Sequence, residues 1–303
     1  MMLALLFVGC LWDAETFKEE ALRQKDVAAI VTGKIEKHSP FFYAQKVAYT
    51  QKLIDEDAGK EALYDDLAVA LHKLGRSEEA ITVVAKKRER FGDGYTTLSN
   101  LGTFYADQGR YEEATALLQK SIEVNPKAHF GREGYQLKAI AYLQALAATP
   151  ELVRKRDLLG LAFDNHMALV FADQGRAKNG ETHFTVAGLK DDVFVALAGL
   201  IRFGSADQSP HVWISLGLAL GYKGDRHLSI AAFRRAEKLG HPKAALMGEI
   251  AIQQISDVGN SRWDKVGRAL DAEFEQGQKW AAEMQRREDE RLKRGEFVAV
   301  FGY

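Results

Sequence analysis

Two windows of 34 residues align along this chain without a gap. One begins at Glu61 and reads EALYDDLAVALHKLGRSEEAITVVAKKRERFGDG; the other begins at Tyr95 and reads YTTLSNLGTFYADQGRYEEATALLQKSIEVNPKA. Large residues recur at position 4 (Tyr64, Leu98), position 7 (Leu67, Leu101) and position 11 (Leu71, Tyr105). Small residues recur at position 8 (Ala68, Gly102) and position 20 (Ala80, Ala114), and glycine recurs at position 15 (Gly75, Gly109). A unit of this size cannot bury its apolar face alone, so it has to stack on copies of itself. That requirement narrows the fold more than any composition does.

Positions 4, 7 and 11 share one face of a helix. Small residues at 8 and 20 let two antiparallel helices approach closely, and the glycine at 15 sits where the first helix must end in a left-handed residue. Each window therefore predicts a helical hairpin. The chain's 5 prolines agree, against about 15 expected from average usage. Ser39-Pro40 reads as the N-cap and first residue of a helix reaching Leu53, while Pro126, Pro150, Pro210 and Pro242 fall at helix boundaries.

A third copy begins at Pro210, with Trp213, Leu216, Gly217, Leu220, Gly224, Ser229, Phe233 and Ala236 in the matching slots. A weaker copy begins near Leu161, with Met167, Ala168, Phe171, Gly175, Phe184 and Ala187, and with Gly180 in the middle of a helix. Together these residues resemble the tetratricopeptide repeat. The resemblance implies an all-α chain, an α-solenoid of tetratricopeptide-type helical hairpins with a long C-terminal capping helix. The expected organisation is a signal-like segment over 1–10, N-terminal helices over 11–60 and two regular repeats over 61–128. Degenerate hairpins follow over 129–209, then a third clear repeat and a helix over 210–258, and a C-terminal helix with an apolar tail over 259–303. Trp263, Val266, Leu270 and Phe274 give the last helix an apolar stripe, expected to pack on the third repeat as far as Met284. The charged run from Arg286 to Arg294 lacks such a stripe and is expected to project or fray, with the apolar tail Phe297 to Tyr303 either folding back onto its own chain or serving as a docking strand for a partner.

Met1 to Cys10 is apolar and unbroken, too short for a bilayer span of about 20 residues. It suits the core of a secretory signal, and Gly9-Cys10 resembles the end of a bacterial lipoprotein signal, with Cys10 as the lipidated residue. Cys10-Leu11-Trp12-Asp13, the stretch Tyr64 to Ala70, Asn100 to Phe104, Asn125 to Glu133 and Ile201-Arg202-Phe203-Gly204 together resemble a group of exported bacterial tetratricopeptide proteins. The resemblance implies a periplasmic or envelope location, reaching the membrane only through a lipid anchor at Cys10. A cytoplasmic protein with 1–10 as a core helix is the alternative.

Motifs for chemistry are missing. The chain has no GxxxxGK[ST], GxGxxG or GxSxG, and its 8 histidines form no HExxH. A single cysteine, Cys10, excludes an intrachain disulfide and a thiolate zinc cage. With 41 basic and 42 acidic residues the chain lacks the concentrated basic surface of a nucleic-acid binder. The reading is non-enzymatic, with no cofactor and no metal. Asp65 and Asp66 point about 100° apart on a helix, so one should face the groove and the other water. The segment His129-Phe130-Gly131-Arg132-Glu133 offers either a contact to a partner carboxylate or a helix cap, with Arg132 paired to Glu133 or Glu123.

Tetratricopeptide grooves bind peptides through positions 2, 5, 9 and 12, here Ala62, Asp65, Val69 and His72, then Thr96, Ser99, Thr103 and Ala106. The candidate peptide groove is thus Asp65, Val69, His72, Thr96, Ser99 and Thr103, with Asn100 at position 6. Chaperone-binding members clamp a terminal carboxylate with lysine at 5 and asparagine at 9; Asp65 and Val69 exclude that clamp. The function implied is an interaction adaptor that binds a peptide or helix in the concave face. The alternative is an assembly subunit of a bacterial envelope complex using its C-terminal helix and tail.

Overall fold

The computed structural model describes residues 27–57, 59–126, 131–163, 193–223, 225–255 and 263–303. Cys10, Trp12, His129 and the weak repeat from Met167 to Ala187 lie outside them. Helices α1 (Val27–Val31) and α2 (Pro40–Glu56) come first. The two regular windows form hairpins α3 (Glu61–Lys73) with α4 (Ser77–Phe91), and α5 (Tyr95–Asp107) with α6 (Tyr111–Val124). Then come α7 (Arg132–Ala148) and α8 (Val193–Arg202), and the third hairpin of α9 (Pro210–Lys223) with α10 (Arg226–Lys238). Helices α11 (Ala244–Ile255), α12 (Trp263–Lys293) and α13 (Phe297–Phe301) complete the described chain. Among the described residues there is no strand, only an isolated bridge between Arg156 and Ala162.

The repeat spacing works as its chemistry demands. A Cβ added to Gly102 would sit 2.8 Å from Leu118, and one added to Gly217 would sit 2.6 Å from Phe233. Both hairpins therefore close at glycine. At Gly75 (φ +77°) helix α3 ends with Arg76 N–H donating to Leu71 O at 3.0 Å and Gly75 N–H donating to His72 O at 2.9 Å. Gly109 ends α5 with the same two bonds, which satisfy carbonyls the helix end would leave unpaired. Ser39 caps α2 by accepting from Phe42 N–H at 2.9 Å, with Pro40 at the first helical position. That helix runs on to Glu56.

The regular hairpin spacing is interrupted after α7. After α7 a 3₁₀ turn (Pro150–Arg154) leads into a tight bracket. There the buried Asp157 carboxylate accepts from Leu159 N–H at 3.0 Å and Leu161 N–H at 2.7 Å. A carboxylate-held turn thus stands at Leu161, at the head of the weaker copy, whose residues 164–192 lie outside the described ones.

The C-terminal helix departs from its expected course. Its first part packs as expected, with Trp263 against Gly248 and Arg234 gripping Asp271 through two bonds of 3.0 and 2.7 Å. It does not project beyond Met284. A helix of 31 residues is about 46 Å long, and α12 uses that length to travel from α10 and α11 to α2. Midway, Gly277 lies so close to the backbone of residues 32–34 that a Cβ would meet Thr32 O at 2.1 Å. Farther on, Gln285 donates to Lys37 O at 3.0 Å, Glu288 meets His38 at 2.7 Å and Asp289 accepts from Ser39 at 2.6 Å. Leu292 is buried against Phe42, and α13 folds back onto α2. The sequence pattern showed no apolar stripe past Met284 because this docking is mostly polar.

Candidate functional site

The inner face of the two regular hairpins carries the peptide-groove candidates, and the chain itself occupies most of them. Asp65, Val69, Ser99, Asn100 and Thr103 are all buried, while His72 and Thr96 are part-buried. Asp65 accepts from Lys87 Nζ at 2.7 Å and from Asn100 Nδ2 at 3.2 Å, and Lys87 also donates to Thr96 at 2.7 Å. Burial pushes the Asp65 carboxyl up to about 6, outweighing the neighbouring ammonium. Gln136 of α7 donates to Thr103 at 3.2 Å. His72 bridges Asp107 at 2.6 Å and Ser77 at 3.1 Å while its ring stacks on Phe104 at 4.4 Å. These residues form a polar ladder that ties α3, α5 and α7 together.

One expectation changes here. Asp66 is not in water: it is as buried as Asp65 and pairs with the buried Lys46 of α2 at 3.4 Å. Arg132 of α7 is buried as well. Its buried guanidinium lies over the Phe203 ring at 5.2 Å and against Gly199, while Glu133 accepts from the Tyr95 hydroxyl. Adjacent helical residues do point apart, as expected, but here neighbouring helices cover both directions.

An open groove of about 560 Å³ lies elsewhere, between α2 and α4. Leu67 and Leu71 of α3 floor it, Val47 and Ala48 line one wall, and Val83 lines the other. Lys52, Arg76 and Lys86 stand at its rim with Asp55 and Glu79. Arg76 is held by Glu79 and Lys52 by Glu56, at 2.6 and 3.7 Å. Sequence reasoning missed this site because it began counting repeats at Glu61. The signal was present: Val47, Gln51 and Asp55 recur every fourth residue on a second stripe of α2, about 100° around from the buried one.

Among the described residues no three potential metal ligands converge, and no helix is long and apolar enough to cross a membrane. Residues 63–86 and 96–128 match the tetratricopeptide repeat family. The matched stretches coincide with the first and second hairpins. No curated protein matches the chain.

Proposed function

Because the chain is a tetratricopeptide-repeat protein, a class whose repeats mediate protein–protein contacts, we propose that it is a binding adaptor whose outer groove receives an amphipathic helix of its partner. The observation that carries this reading is the groove between α2 and α4, with an apolar floor of Leu67 and Leu71 under a charged rim. Its length and apolar floor suit anchors four residues apart on a helix, the usual mode of helix-in-groove recognition. Lys86 has no ion-pair partner among the described residues, and it favours a partner with an acidic residue beside its apolar stripe. A peptide in the concave face remains the rival reading; it would have to displace the ladder around Asp65, Asn100 and Thr103. The C-terminal helix and tail, the elements of an assembly subunit, are engaged within the chain.

The test uses a photo-crosslinking residue at the exposed Ala48, with and without Val83→Arg on the facing wall. The reading predicts a crosslinked partner peptide with an amphipathic helical pattern, lost in the arginine variant. Crosslinks that survive Val83→Arg and vanish on Thr96→Arg at the inner face would move the site to the concave side.

A further inference from the structure

Residues 297–303 sit against α2 as a ligand sits in a cleft. Phe301 is fully buried, 5.2 Å from the Phe42 ring and 5.6 Å from Tyr49. Phe297 stacks with Tyr49 at 5.3 Å and Tyr303 stacks with it at 6.2 Å. The Tyr49 hydroxyl donates to the backbone carbonyl of Tyr303 at 3.1 Å. At the floor, the Tyr303 hydroxyl meets Thr50 Oγ1 at 3.1 Å and reaches the Asp66 carboxylate, directly over the buried Lys46–Asp66 pair. Packing alone would ask for no polar group there. This floor instead matches a phenol, so it distinguishes tyrosine from phenylalanine.

Outside the cleft the segment has few ties to the rest of the chain, among them a bond of 3.4 Å from Arg291 Nη2 to Ala299 O. Helix α13 has five residues, too few to be stable without its cleft. Gly295 (φ +80°) and Gly302 (φ +86°) flank it. Its link to α12 is a tight turn, with Gly295 N–H to Leu292 O at 2.9 Å, and the exposed pairs of Glu296 with Arg291 and Arg294, which contribute little. Only one side is covered, for Val298 is 64% exposed. The cleft walls, by contrast, belong to α2 and α3 and persist without it.

We propose that the Phe42–Tyr49–Thr50 cleft is a recognition site for a short helical segment of a partner protein, with two phenylalanines four residues apart and a tyrosine after the following glycine, and that residues 297–303 fill it as a displaceable occupant. This site lies on the face of α2 turned away from Ala48 and Gln51, so it goes beyond the groove reading and stands or falls separately.

The experiment titrates a fluorescent peptide of sequence RGEFVAVFGY into the full-length chain and into its Phe301→Asp variant, which expels the resident segment. The variant should bind at least tenfold tighter than the wild type, and a peptide with Tyr303→Phe should bind about three- to tenfold more weakly than the parent. Ala48→Arg should leave both affinities unchanged. Equal binding to both chains, or no binding to a variant that still melts cooperatively, would overturn the proposal. So would concentration-dependent dimers of the wild type that Phe301→Asp abolishes, since a second copy would then be the occupant. Should the variant fail to fold, hydrogen exchange of wild-type residues 297–301 decides: excess peptide should accelerate it, and unchanged exchange refutes displacement.

Discussion

Four rings stack edge-on through the core beside the Asp157 bracket: Tyr142 to His211 at 5.4 Å, His211 to His241 at 5.5 Å, and His241 to Phe163 at 5.6 Å. No hydrogen-bond partner among the described residues reaches His211 Nδ1 or His241 Nε2. Burial holds His211 down to about 4, and burial together with its neighbour holds His241 down to about 3. The native state therefore binds fewer protons than the unfolded chain, whose histidines titrate near 6.5. Their contribution is intact above pH 6.5 and is lost as pH falls below it. From pH 7.5 to pH 5 the loss is about 2 kcal/mol for each ring. Asp65 and Asp157 act in the opposite sense. Burial raises both to about 6, so the cost of keeping them ionised is relieved as pH falls through 6. That regains about 1.4 kcal/mol each over the same interval. The carboxyls offset part of the loss in the wild type, leaving a net loss of about 1 kcal/mol. Replacing both histidines by phenylalanine keeps the ring ladder and removes the titration; it also removes the bond that His241 Nδ1 accepts from Lys243 N–H at 3.2 Å, a loss common to both pH values. In urea unfolding followed by circular dichroism, the His211→Phe, His241→Phe chain should lose about 4 kcal/mol less than the wild type between pH 7.5 and pH 5. Identical pH dependence in both chains would refute the reasoning, because the imidazoles would then have to be hydrated in the native state.

Three other outcomes are expected. Gly277→Ala should destabilise the crossing of α12 over residues 32–34 by about 3 kcal/mol, since the 2.1 Å clash is with a backbone oxygen that cannot turn away; limited proteolysis should then cut near residues 285–296 first. Gly102→Leu should cost about 1–3 kcal/mol in thermal or urea unfolding by forcing α5 from Leu118 of α6. For location, we propose an envelope protein anchored through Cys10: fractionation of the native gene product should place it in the membrane, and Cys10→Ser should release it.

The hairpins were legible because their signals are local. Glycine at position 15 and small residues at 8 and 20 each act within one repeat, and Gly75, Gly102, Gly109 and Gly217 all sit where the spacing placed them. The candidate groove was less legible. Positions 5, 6 and 9 do point inward, as the helical period requires, yet whether an inward residue meets a ligand or its own chain depends on what covers the array. Here the cover comes from later elements: Gln136 to Thr103 spans 33 residues, and Asp289 to Ser39 spans 250. The second half of α12 shows why polarity misleads. Glu288 and Asp289 read as solvated charges, but both carry hydrogen bonds to the segment before α2.

Amide hydrogen exchange along the C-terminal helix tests the closure of the array most directly. If α12 spans from the last hairpin to α2, residues 286–293 should exchange nearly as slowly as residues 267–284. Fast exchange from Arg286 onward, with slow exchange before Met284, would mean that the helix end projects into solvent, and the closed array would be wrong.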